Sequence, residues 1–155
     1  MTPDIQDQPT PKHPIVMLID DSSIDNFVNK KIIERYGFAA EVLAFTRARH
    51  ALKHLLQLKN AADDQIPSII FLDLNMPEID GYEFLETFNL LSATIKKHIR
   101  IVILTSSINP TDVEKCANYS SVVTFLHKPL VKNNLDALDL LLTEGRHEVY
   151  SAIGA

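Results

Sequence analysis

The sequence predicts an α/β fold: a parallel five-stranded sheet between two layers of helices, a three-layer sandwich. Three observations carry this. Four short runs, residues 15–19, Ile69–Leu72, 99–104 and 122–126, are apolar with almost no polar alternation, the habit of strands buried on both faces. Segments with apolar residues at helical spacing separate the strands, so β and α alternate, and alternation implies right-handed crossovers with helices on both faces. The same four runs end on polar residues: Asp20-Asp21, Asp73, Thr105 and Lys128.

Taken in order, the run at 15–19 closes on Asp20-Asp21, with Ser22 or Ser23 placed to cap a helix. Ile24, Phe27, Val28 and Ile32 fall at helical spacing, and Gly37 suits the position just past the helix end. Residues 41–45 read as a short second strand. Thr46 then opens a helix whose Ala48, Ala51, Leu52, Leu55 and Leu56 make one apolar stripe. Residues 60–65 are polar and loop-like, and Pro67 leads into the Ile69–Leu72 strand.

After the Pro77 loop, Asp80-Gly81 marks a turn, and a helix over 82–91 buries Phe84, Leu85 and Phe88. Strand four closes on Thr105-Ser106-Ser107. Asn109-Pro110, a cap followed by proline at the first helical position, opens a helix over 110–118. Strand five leads to His127-Lys128-Pro129. Leu135, Leu138, Leu141 and Leu142 give a fifth and last helix, ended near Gly145.

Composition excludes several functions. Apolar residues make up 46% and charged residues 23%, which is globular rather than disordered, and the length suits one domain with a real core. The net charge of -5, with lysine and arginine scattered, argues against direct contact with nucleic acid. The single cysteine, Cys116, cannot form an internal disulfide and reads as a packed helical thiol. No stretch approaches the roughly 18 apolar residues needed to span a bilayer. Residues 1–13 carry Pro3, Pro9 and Pro11 without an apolar signal core. The expected organisation is a flexible tail over 1–14, one domain over 15–143 and a short tail over 144–155, in a cytoplasmic protein.

The polar strand ends have plain readings singly: Asp ends strands as a turn former, threonine caps a strand end, lysine is solvated. Together they fall on one rim. Where a parallel sheet reverses its winding, the ends of strands one and three flank a crevice, which would bring Asp20, Asp21 and Asp73 within a few ångströms. Like charges so close need a cation, and oxygen ligands favour Mg²⁺. His127, beside the lysine, is expected to point outward, so a zinc site is not expected. A carboxylate with Mg²⁺ on one side and an ammonium and a hydroxyl on the other is arranged for phosphoryl transfer.

These residues resemble a response regulator receiver domain. The resemblance rests on Asp20-Asp21, on Asp73-Leu-Asn-Met-Pro-Glu-Ile-Asp-Gly81, on Leu104-Thr105-Ser106 and on Lys128-Pro129, and covers residues 15–142. It implies a flavodoxin-like (βα)5 sandwich with strand order 2-1-3-4-5, the order known for a chemotaxis member of the same family. It implies Asp73 as phosphoacceptor, and Mg²⁺ held by Asp20, Asp21, Asp73 and the carbonyl of Asn75. Thr105 would swing to the phosphoryl group, Lys128 would pair with it, and Phe125 holds the aromatic switch position. Small Ser106 leaves access open. A stand-alone bacterial signalling protein is implied rather than an enzyme.

The implied donor is a sensor histidine kinase or a histidine phosphotransfer protein, docking near Asn26, Val28 and Asn29. The signal would pass by protein contact through the fourth helix, fifth strand and fifth helix, to an unidentified protein, from a monomer or a phosphorylation-linked dimer. Two departures are visible: the loop at 58–65 and the segment at 91–100 are longer than usual. Three rivals fit less well. A dehalogenase-type phosphatase needs an acid two residues after its nucleophile, where Asn75 stands. A flavin or dinucleotide carrier wants a glycine-rich or hydroxyl-rich loop where Asp20-Asp21 would repel phosphate. A docking module that is not phosphorylated would be expected to lose pocket residues.

Overall fold

The computed structural model describes residues 10–144. Five strands, β1 (His13–Ile19), β2 (Ala39–Phe45), β3 (Ile69–Leu72), β4 (Arg100–Thr105) and β5 (Val122–His127), form one parallel sheet in the order β2-β1-β3-β4-β5. Six helices cover it: α1 (Ser23–Arg35), α2 (Ala48–Leu56), α3 (Gly81–Asn89), α4 (Ala93–His98), α5 (Pro110–Cys116) and α6 (Lys132–Thr143). The fold and strand order are those the resemblance implied. The two expected tails lie largely outside the described residues, and β1 begins two residues before the expected domain start.

Alternate residues of each strand feed two cores. Met17, Ile19, Ile70, Leu72, Ile101, Ile103 and Phe125 face the layer of α2, α3, α4 and α5. Val16, Leu18, Ile69, Phe71, Val102 and Leu104 face α1 and α6. Burial on both faces explains why these strands lack polar alternation.

The structure differs from the sequence reading in four places. The segment before β4 folds into the extra helix α4, with Ser92 accepting from the Ile95 N–H at 3.4 Å, so six helices stand where five were expected. The loop at 58–65 contains one 3-10 turn, Asp63–Gln65. Helix α2 begins at Ala48 with Arg47 rather than Thr46 as its boundary, and Leu56 of its expected stripe faces solvent.

The largest difference lies in α1. Ser22 caps it as expected, accepting from the Asp25 N–H, and Gly37 follows its end with φ 62°. Its buried face, however, carries Asn26, Asn29 and Ile33, while Ile24 and Phe27 are 73% and 63% exposed. Asn26 Nδ2 donates to the Asp20 and Phe45 carbonyls, each at 3.1 Å, and Asn29 Oδ1 accepts from the Leu130 N–H at 3.0 Å. Carbonyls and an N–H beyond the strand ends need partners, and the amides face inward to supply them.

Candidate functional site

Sheet pairing continues one residue past the strands and so fixes the polar groups that follow. The Asp20 N–H donates to Phe45 O at 3.1 Å, the Asp73 N–H to Ile19 O at 3.0 Å, and the Lys128 N–H to Thr105 O at 2.8 Å. Asp20 and Asp73 are buried, Asp21 is exposed, and one carboxylate oxygen from each lies within 4.8 Å of the others. Lys128 Nζ sits among acids: 2.5 Å from Asp20 Oδ2, 3.2 Å from Asp25 Oδ2 and 3.4 Å from Asp73 Oδ2. The three acids and the lysine that sequence placed on one rim meet there.

Burial dominates the electrostatics. Desolvation, followed by the charge of Asp20, raises Asp73 from 3.8 to about 6, against the Asn75 N–H and Lys128, which favour its charged form. Asp20 is also raised, again chiefly by burial, although Lys128 opposes the shift. For Lys128 burial works downward, but Asp20, Asp73 and Asp25 together outweigh it and push the ammonium up to about 12. The amine therefore stays charged, while Asp73 is poised near neutrality.

Two loops shape the pocket. The Asn75 N–H donates to Asp73 Oδ1 at 3.2 Å, and the chain returns through Glu78, at φ 65°, to Gly81, whose N–H donates to Leu74 O at 3.0 Å. Gly81 was expected only as a turn residue. Its reason is spatial: a Cβ there would lie 2.6 Å from Leu74 Cα and 2.9 Å from Asp73 O. On the other side, Thr105 Oγ1 donates to Ser107 O at 3.2 Å and accepts from the Ser107 N–H at 3.3 Å. Phe125 is wholly buried in the core beside α5, and His127 is exposed as expected. Beside Lys128 opens a cavity of about 320 Å³, lined by Asp25, Val28, Asn29, Ser106 and Pro129. The Lys128–Pro129 peptide bond is cis.

Asn26 and Asn29, expected on a docking surface, are buried hydrogen-bonding residues, so only Val28 of that group is exposed. Asp25 was missed as a partner of Lys128. Its only sequence signal is a position one helical turn after Asp21, which brings it back towards the same rim.

The pocket suits a divalent cation. Its converging donors are carboxylate oxygens, which a hard cation prefers. Asp20 Oδ2 is buried and accepts no well-directed hydrogen bond, even with Lys128 Nζ 2.5 Å away. Asp20, Asp21 and Asp73 would hold the ion.

The sheet order and the crevice at the reversal of winding define a flavodoxin-like α/β protein whose chemistry sits at the carboxyl rim. The chain belongs to the response regulator receiver domain family of two-component signalling, whose sequence profile matches residues 16–138. It is 30% identical over 125 residues to the two-component response regulator ORR1 of rice, covering 79% of this chain and 52% of that protein. It is 30% identical over 104 residues to response regulator Rcp1 of Synechocystis, covering 64% of this chain and 66% of that one. A two-component response regulator from Cytophaga hutchinsonii superposes with a TM-score of 0.78 at 33% identity, covering 86% of this chain and 98% of that structure. The chain thus spans about half the length of the rice relative, and plants as well as bacteria contribute relatives. The family is a signalling domain rather than a conventional enzyme. No helix among the described residues is long and apolar enough to cross a membrane.

Proposed function

We propose that Asp73 accepts a phosphoryl group from a phosphohistidine and that the phosphorylated protein signals by protein contact. The observation that carries this is the buried Asp73 carboxylate at the switch point, 3.4 Å from Lys128 Nζ and beside Asp20 and Asp21. An oxygen of ionised Asp73 attacks phosphorus, the P–N bond breaks, and the departing histidine nitrogen keeps the electron pair. Bound Mg²⁺, on Asp20, Asp21, Asp73 and the Asn75 carbonyl, would offset charge on the phosphoryl oxygens. Lys128, already charged, moves from Asp20 and Asp25 to a phosphoryl oxygen. Thr105 exchanges Ser107 for another oxygen, and Phe125 follows the space it leaves.

The donor is a sensor histidine kinase or histidine phosphotransfer protein, docking on the exposed Ile24, Phe27 and Val28 of α1 beside the cavity mouth. The face of α5, β5 and α6 passes the signal on, in a cytoplasmic monomer or a phosphorylation-linked dimer. A phosphorelay intermediate or phosphate sink uses the same chemistry; a docking module without phosphorylation does not.

Acetyl phosphate with Mg²⁺ should label the wild type and leave Asp73→Asn unlabelled on a phosphate-affinity gel. Equal labelling of the two would sink the assignment. Retention of partners on beryllofluoride-treated protein separates an effector from a relay or a sink.

A further inference from the structure

At the opposite rim the start of β4 and the turn entering β5 border a second, open cavity of about 360 Å³. Lys96 and Lys97 of α4, Arg100 at the start of β4, and Ser120 and Ser121 before β5 line it, with Ile99 as apolar wall. Lys96 Nζ donates to Asn89 O at 2.9 Å and an Arg100 Nη to Lys97 O at 3.2 Å. One hydrogen bond holds each head in place, leaving two donors on the ammonium and four on the guanidinium. Among the described residues, none of the three cations pairs with a carboxylate. In a chain of net charge -5, three such cations around one concavity form a local positive site.

We propose that this cavity binds a phosphate-bearing small molecule of nucleotide size, its phosphates held by Lys96, Lys97 and Arg100. The volume falls within the roughly 300–1,000 Å³ usual for small-molecule sites. The guanidinium fork matches two phosphate oxygens at once, the lysines supply point charges, and the serine hydroxyls offer further donors. Ala93, exposed on α4, and the aliphatic stems of the lysines give a ring an apolar surface. The site exists because the chain inserts α4, which carries two of the cations. It lies at the opposite end of the sheet from Asp73: Arg100 pairs with Ile69, four residues before Asp73, about 13 Å at roughly 3.3 Å per residue, so it does not depend on the phosphoacceptor reading.

The test is titration of the full chain with ATP, adenosine and an oligo-glutamate peptide, followed by amide NMR shifts. EDTA is present so that Mg²⁺ cannot bridge the nucleotide to the acidic rim. ATP should bind saturably and shift amides of α4 and residues 119–121, while adenosine should not. Lys97→Glu, on an exposed helix position, should weaken ATP at least about tenfold, and Asp73→Asn should leave it unchanged. Absence of saturable ATP binding, or binding that survives Lys97→Glu in a folded variant, overturns the proposal. Binding of oligo-glutamate without ATP also overturns it, in favour of a surface for an acidic protein segment.

Discussion

Helices α1 and α2 flank the strands β1 and β2 at one side of the sheet and obey opposite rules. Helix α2 turns Ala48, Ala51, Leu52 and Leu55 into the core. Helix α1 buries two asparagines and leaves Ile24, Phe27 and Val28 in solvent. The contrast follows from what each helix meets. Beneath α2 lies a complete apolar layer. The start of α1 borders strand ends and the loop after Lys128, where carbonyls and an N–H need partners, so amides fill its inner face. Ile24, Phe27 and Val28 are thereby left outward, with Val28 at the cavity beside Lys128, the surface to which the proposed function assigns the phosphate donor.

Mutations can break or sharpen this contrast, and the largest effect is expected on α2. Leu55→Ala removes a wholly buried side chain and should cost about 2–5 kcal/mol in denaturant unfolding. A loss under about 1 kcal/mol would mean that α2 is not the packing helix described. Asn29→Ala should cost about 1–3 kcal/mol by orphaning the Leu130 N–H, as a polar role on α1 requires. A neutral result would show that water replaces the amide.

The third effect has the opposite sign and depends on pH. Because burial raises Asp73 to about 6, the folded protein holds that proton more tightly than the unfolded chain. Its contribution is therefore most favourable in acid, is lost as pH rises from about 4 to 6, and stays lost above. Without Mg²⁺, Asp73→Asn should stabilise the protein by about 1–2 kcal/mol at pH 8 and bring little gain at pH 4. Melting temperatures across that range decide it, and an equal gain at both ends would remove carboxylate charge as the cause. Mg²⁺ should raise the wild-type melting temperature at pH 8, less so in Asp21→Ala.

Phe27→Ser should give the smallest change, within about 0.5 kcal/mol, because the ring is 63% exposed. Under the proposed function it should slow phosphotransfer from a histidine donor yet leave acetyl phosphate labelling intact. Slowing of both reactions would place Phe27 in the pocket rather than on the docking face.

The sheet was legible because strands buried on both faces write themselves as unbroken apolar runs, and the four polar rim positions stood out against them. The inner face of α1 was not legible. Positions 26, 29 and 33 recur at helical spacing as regularly as 24, 27 and 28, and periodicity does not say which face meets an unsatisfied carbonyl. The six residues of α4 are too few to show a period. Gly81 was visible as a turn residue, but only the fold brings Leu74 against the place of its missing Cβ. The Asp25–Lys128 pair spans 103 positions, so no local pattern announces it.

Under the proposed function Thr105 would set a limit on signal quality. In the resting protein its hydroxyl both gives a hydrogen bond to Ser107 and receives one from it. For the movement proposed here both must be surrendered. At about 0.5–1.5 kcal/mol net for each, the rotamer bonded to Ser107 would be favoured by roughly five- to 150-fold before any phosphoryl group arrives. The unphosphorylated protein would then occupy its active arrangement from below one per cent to about a fifth of the time. Under the proposed function that fraction would be the background against which a partner reads the message, and Ser107 backbone geometry, rather than Asp73 chemistry, would determine how quiet it is.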